Sequence, residues 1–261
     1  MLLLFFGDKM KFKKIFFCML IFLSIFLIYK VSYKGKLNYV VLGDSLSAGK
    51  NPYGEIGYGY SDFLANYLSK NKKLNSYVSG YTNINYNIDN LIDDINNNKN
   101  IINNGKKINI RNTLRESNLI TISIGFNDLS ESIKKIVLER NFINKVEIKK
   151  DIDIYANEFS FLIKLVKKYA KNDIIVIGYY NPYPYFETYK QDINDIIQYS
   201  DFVLNKVCEE NNISFLKISD IFENYTKYFP NSLDIHPNVF GYEKIFLELK
   251  KKIDGIYAIN M

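Results

Sequence analysis

Tyr39-Val-Val-Leu-Gly-Asp-Ser-Leu46 reads as a buried strand that enters a tight turn and then a helix. The run Tyr39–Leu42 has no polar residue in alternation, as a strand covered on both faces requires. The same grammar recurs downstream. Ser76-Tyr-Val78 leads to Gly80, Leu119-Ile-Thr-Ile-Ser-Ile124 to Gly125, and Asp173-Ile-Ile-Val-Ile177 to Gly178, while Ile213-Ser-Phe-Leu216 makes a fifth strand. The β-branched run Leu119–Ile124 is the clearest of them. Between the strands, apolar residues recur at helical spacing over Tyr60–Leu68, Asn87–Ile95, Asp151–Tyr169, Asp192–Glu210 and Asn238–Ile253, with Asn238 placed as an N-cap. The Asn- and Lys-rich stretch 96–112 reads as a solvated loop or frayed helix. Strands alternating with helices predict an α/β fold, a mostly parallel five-stranded sheet with helices on both faces. In such a sheet the ligand site lies at the carboxyl ends of the strands.

The composition agrees. The 261 residues are 48% hydrophobic and 24% charged, which suits a globular body and excludes a disordered or collagen-like chain. The net charge of +6 is local in origin. Seven of the 34 basic residues and one of the 28 acids fall in the first 37 positions, so the rest of the chain is neutral. A basic nucleic-acid-binding face is not supported by that balance. Two cysteines, Cys18 and Cys208, make no disulfide framework, and no CxxC or Cys/His cluster offers a zinc site.

Residues 1–37 stand apart from the body, 38–261. Lys11, Lys13 and Lys14 precede an uninterrupted apolar run from Ile15 to Tyr29, and Lys30 closes it. A basic segment followed by such a run has the form of an export signal. Fifteen residues are short for a spanning helix, which takes about 17–25, but lysine stems at both ends extend the reach. No small-x-small cleavage site follows the run. We expect an uncleaved signal anchor and linker, with the body outside the cytoplasm at the cell membrane. Cleavage would instead leave a secreted body.

The residues able to do chemistry gather at the strand ends. His236 is the only histidine in the chain, and it stands beside Pro237 with Asp234 two positions earlier. A serine nucleophile needs a base that titrates near neutral pH, which histidine supplies. Ser45 follows the first strand in a Gly-Asp-Ser turn, where backbone N–H groups point outward. Asn127 and Gly80, at two further strand ends, offer an amide and a backbone N–H of the kind an oxyanion site uses. Asp44 and Asp128 read as structural. The aromatic segment Tyr179–Tyr189 suits either the wall of an acyl cleft or a rigid loop packed on the body.

In order, Gly43-Asp-Ser-Leu46, Gly80, Gly125-Phe-Asn-Asp128 and His236-Pro237 resemble the blocks of the GDSL-type, or SGNH, hydrolases. The likeness spans about residues 38–253. Ile124–Leu129, Tyr180-Asn-Pro182 and His236–Tyr242 add a similarity to the membrane- or secretion-linked members of Gram-positive bacteria. The resemblance implies a flavodoxin-like, three-layer α/β/α sandwich with no cofactor and no metal. It implies that Ser45 attacks an acyl carbon, that His236 takes its proton, and that the oxyanion rests on the N–H groups of Ser45 and Gly80 and the amide of Asn127. One departure stands out. The family's acid lies three residues before the histidine, where this chain has Leu233. Either Asp234 orients His236 across a tighter loop or a main-chain carbonyl does so.

The function expected on these grounds is hydrolysis of a carboxylic ester by a serine esterase, acting on a lipid, a small ester or an acylated glycan. An acyltransferase or a carbohydrate O-deacetylase would use the same residues. A non-catalytic anchored binding protein on this fold would have no need to retain Ser45, Asn127 and the sole histidine.

Overall fold

The computed structural model describes residues 35–131, 144–181, 187–222 and 225–259, together with positions 17 and 19. The expected anchor, Ile15–Tyr29, lies outside the described residues except at those two positions. Among the described residues no helix is long and apolar enough to cross a membrane.

Five strands form the main sheet: β1 (Leu37–Gly43), β2 (Leu74–Thr82), β5 (Leu119–Ser123), β6 (Asp173–Ile177) and β7 (Ser214–Leu216). They are all parallel, in the spatial order β2-β1-β5-β6-β7. The chain builds outward from β1 to β2, then crosses back to the other side of β1 and continues through β5, β6 and β7. That reversal leaves a crevice at the carboxyl ends of β1 and β5.

Side-chain alternation along the strands separates two cores. Val40, Leu42, Ile120, Ile122, Ile174 and Val176 face one layer, which contains α3 (Ile88–Asn96), α4 (Ile110–Glu116), α5 (Lys145–Tyr169) and α6 (Lys190–Glu210). Tyr39, Val41, Leu119, Ile175 and Ile177 face the opposite layer, built from α2 (Tyr60–Lys70) and α8 (Val239–Tyr257). Both faces of the central strands β1, β5 and β6 are therefore dry, which is why those strands carry few polar residues. Thr121 is an exception, and its hydroxyl is matched by the buried Tyr39 hydroxyl at 2.8 Å. Two further short helices are α1 (Ser45–Ala48) and α7 (Tyr225–Tyr228). The expected α/β sandwich is present, with all five of its strands.

Three local readings need correction. The stretch 96–112 is neither loop nor frayed helix. It holds an antiparallel hairpin, β3 (Asn100–Asn103) and β4 (Lys106–Asn109), followed by the start of α4. Asn104 and Gly105 form its two-residue turn, both with positive φ (49° and 74°), as a type I′ turn demands. Second, β2 runs on to Thr82, so Gly80 lies within the strand and not after it. Third, α5 begins at Lys145, six residues before Asp151, because the Asn144 side chain accepts from Glu147 N and caps it there. Cys208 is buried and unpaired in α6.

Gly43 makes the tightest backbone contact at the strand ends. Its φ is +134°, and a Cβ there would lie 1.9 Å from the Ser123 carbonyl oxygen. Gly43→Ala is expected to lower stability by at least roughly 1–3 kcal/mol, the cost of a strained backbone before the clash is added. A denaturant melt of the variant measures this, and an unchanged midpoint would show that the strand ends can part without loss.

Candidate active site

Ser45 is the first residue of α1, directly after the β1 terminus. Asp44 caps that helix: its Oδ1 accepts from Leu46 N at 3.1 Å, and its own N–H donates to Ser123 O at 2.9 Å. The Ser47 hydroxyl donates to Leu42 O at 2.9 Å and sits against the Tyr60 hydroxyl at 3.1 Å. Gly49 ends the helix at φ +76°. A four-residue helix held at both ends leaves Ser45 little freedom.

The loop before α8 brings His236 to this point. The Ser45 Oγ and His236 Nε2 are 2.8 Å apart, and His236 Nδ1 lies 2.6 Å from Asp234 Oδ1. The same Oδ1 accepts the His236 backbone N–H at 2.7 Å, forming an Asx turn. This turn is how an acid only two residues from the histidine reaches its ring. Several contacts fasten the loop. Asp234 N donates to Asn231 O at 3.2 Å, and the Asn231 amide donates to Pro52 O at 2.8 Å. The Tyr180 hydroxyl donates to Ile235 O at 2.9 Å, and Asn238 caps α8 by accepting from Gly241 N at 3.1 Å. His236 is only 5% exposed. Burial holds its pKa below the ordinary histidine value, Asp234 partly offsets this, and the Lys50 charge adds to the lowering. The imidazole is therefore neutral near pH 7 and able to accept a proton.

Asn127 is the second residue of a helical segment, 126–131, after β5. Its amide donates to Tyr86 O at 2.7 Å, which fixes the side chain and leaves a second amide hydrogen. Asp128, next to it, accepts from Ile88 N at 3.3 Å at the start of α3. Burial raises its pKa to about 6. Gly80 falls where the β1–β2 ladder slips: Val40 pairs with Val78, but Leu42 pairs with Tyr81. A bulge of this kind re-aims the backbone beside a site. A Cβ on Gly80 would meet the Ile101 Cδ1 at 2.7 Å, so hairpin packing also favours glycine there. The structure thus brings Ser45, His236 and Asp234 into one hydrogen-bonded array. Asn127, in the helical segment after β5, and Gly80, on β2, stand on either side of β1 without a direct contact to that array.

The aromatic segment 179–189, which the sequence offers as a cleft wall or a packed loop, places Tyr179 and Tyr180 behind the array. Tyr179 donates to Ile124 O at 2.8 Å, and a Cβ on Gly125 would meet its hydroxyl at 2.5 Å. The aromatic density of 179–189 was the signal available for them. Residues 182–186 of that segment lie outside the described residues.

A parallel α/β sandwich carrying a serine, histidine and aspartate at its strand ends defines a serine hydrolase. Residues 41–244 match the GDSL-like lipase/acylhydrolase family, and the chain belongs to that family. It is a carboxylic-ester hydrolase. No curated relative matches the sequence. Among solved structures, the lipase Lip_vut3 from a goat rumen metagenome superposes with a TM-score of 0.65 at 17% identity, covering 82% of this chain and 95% of its own. A catalytic mutant of Axe2, an acetylxylan esterase from Geobacillus stearothermophilus, gives 0.60 at 15% identity over 85% and 96%. An extracellular lipase from Streptomyces rimosus gives 0.57 at 14% over 82% and 98%. At these identities the likeness is one of fold.

Asp44 has a pH signature. Burial raises its pKa to about 7, far above the ordinary carboxylate value. The folded state then holds a proton that the unfolded chain releases between about pH 4 and pH 7, so this group's stabilisation declines as pH rises through that window. Asn keeps the capping oxygen and carries no charge. Asp44→Asn is expected to gain stability relative to the parent as pH rises from about 4 to 7. Melting temperatures across that range test it, and a constant difference would remove Asp44 from the pH dependence.

Proposed function

We propose that the chain cleaves its ester through an acyl-enzyme on Ser45, with His236 as general base and Asp234 as the group that orients it. The observation that carries this is the continuous path from Ser45 Oγ to His236 Nε2 at 2.8 Å and from Nδ1 to Asp234 Oδ1 at 2.6 Å. Ser45 Oγ attacks the acyl carbon as its proton passes to Nε2. The tetrahedral oxyanion collapses, the C–O bond to the alcohol breaks, and Nε2–H protonates the departing alkoxide. Water then attacks the acyl-enzyme, giving its proton to Nε2, and the proton returns to Ser45 when the carboxylic acid leaves. Asp234 holds the tautomer with Nδ1–H and stabilises the imidazolium of each step. The backbone N–H groups of Ser45 and Gly80 and the second amide hydrogen of Asn127 serve as the oxyanion donors. Fixing Asn127 by its bond to Tyr86 O supports that role, since a preorganised donor loses nothing to reorganisation.

Ser45→Ala is expected to remove nearly all turnover of p-nitrophenyl esters while leaving the melt unchanged. His236→Ala should match that loss, and the double variant should add little, because the two act as one unit. The rising limb of kcat/KM against pH should have its midpoint below about 6.5, since burial disfavours the imidazolium. Turnover by Ser45→Ala at the parental rate would refute the assignment.

The apolar run Ile15–Tyr29, flanked by lysines, supports a second proposal: the body is held at the cell membrane on its outer side. Protease added to intact protoplasts of a Gram-positive host should digest the body and leave a membrane-bound stub. A protected body would reverse the orientation, and a soluble intact body would show cleavage of the signal.

A further inference from the structure

Two voids lie side by side behind Ser45, and Tyr179 stands between them, backed by Phe126 on the side of the first. The first is about 20 Å³ and touches Ser45 and His236. Its walls are mostly apolar: Leu46, Phe126, Tyr179, Tyr180 and Ile235. A cavity of roughly 10–15 Å³ already holds one water, so this space is on the scale of one small group and not of a chain. The second, of similar size, lies between α5 and α6 and is lined by Ile88, Leu129, Ile152, Phe159, Val203 and Leu204 among others. Tyr179 borders both, and Phe126 borders the first. Their rings meet edge to face with centroids 5.7 Å apart. The wall is anchored, since the Tyr179 hydroxyl donates to Ile124 O at 2.8 Å and its backbone N–H to Asp201 Oδ1 at 3.4 Å.

The two halves of an ester make different demands. The alcohol must leave before water can enter, so it belongs on the open side of Ser45. The acyl group stays on Ser45 until hydrolysis, and an enclosed pocket can hold it throughout. An open groove of about 460 Å³ runs from Ser47 and Ala48 along β2, and its lining is mixed: Ser61, Asp62, Ser79, Thr82 and Asn83 stand among Ile56, Tyr77 and Ile84. Its polar groups can meet the hydroxyls of a hydroxyl-bearing alcohol.

We propose that the small void is the acyl pocket, that the Phe126–Tyr179 pair sets its depth, and that the enzyme takes acyl groups of acetyl to propionyl size in preference to fatty chains. This rests on the ester-hydrolase reading of the same site. Phe126 and Tyr179 are specificity-determining residues, and the second void is the space a longer chain would enter if the wall were opened.

The test is kcat/KM of the full chain on p-nitrophenyl acetate, butyrate, octanoate and laurate. The parent is expected to favour acetate over octanoate by at least roughly tenfold, the lower range for discrimination by pocket fit. Phe126→Ala should raise the octanoate-to-acetate ratio by at least roughly tenfold, and Phe126→Leu should move it less in the same direction. Adding Ala156→Leu, which fills the second void from α5, should reverse the gain. A ratio within one variant cancels any general loss of turnover, and the parental profile stands even where a variant fails to fold. Octanoate cleaved as well as acetate by the parent, or an unchanged ratio in folded Phe126→Ala, would overturn the pocket. Absence of hydrolysis at every chain length would overturn the ester-hydrolase reading itself.

Discussion

The site depends on a backbone contact with no side chain in it, the approach of Gly43 to the Ser123 carbonyl. Only a residue without a Cβ lets β1 end this close to β5. The Asp44 N–H then reaches Ser123 O, and the Ser47 hydroxyl reaches back to Leu42 O. These bonds turn the chain sharply at the top of the sheet and start α1 at Ser45. Ser45 is set by the strand ladder itself and not by a long loop. The wall behind it depends on the same register, because Tyr179 at the end of β6 hydrogen-bonds to Ile124 at the end of β5.

The base arrives by a different route. His236 stands on a loop from the far end of the chain, packed between α7 and α8. The hydroxyls of Tyr180 and Tyr242 pin that region, one to Ile235 O and one to Lys50 O. Tyrosine suits this task because its ring fills core volume while its hydroxyl satisfies a buried carbonyl. A chain with 22 tyrosines and no tryptophan relies on such contacts repeatedly. Tyr257 to Asn118 O is a further example.

Most of the sheet was legible because a strand buried on both faces shows as an unbroken apolar run. Leu119–Ile124 and Asp173–Ile177 are of this kind, and each lies within a residue of its observed end. The edge strand β2 was legible only at its centre. One face of it is half open, so its apolar signal covers three residues, and its true length appears only through pairing with β1. The hairpin was hidden by composition: Asn and Lys flank its turn, and only the Asn104-Gly105 pair marks it. Ser45, His236 and Asp234 were all identifiable by residue type and position. What orients His236 was open, because the choice between Asp234 and a main-chain carbonyl turns on loop dihedrals that spacing alone does not determine. The dividing wall needed two strand ends in register and so could not be read from either segment separately.

The Asx turn at Asp234 has a consequence for how the array comes apart. Acid and base are two residues apart and joined twice by the same oxygen, so loop motion carries them as one rigid piece. The direct link from His236 to Ser45 spans 191 positions and is one hydrogen bond, with the region fastened to Lys50 and Pro52 by Tyr242 and Asn231. Motion that parts His236 from Ser45 therefore carries Asp234 along with the imidazole. A partly loosened enzyme keeps its imidazole correctly tautomerised and simply out of reach. Recovery then needs only the loop to settle back, with no proton to be rearranged.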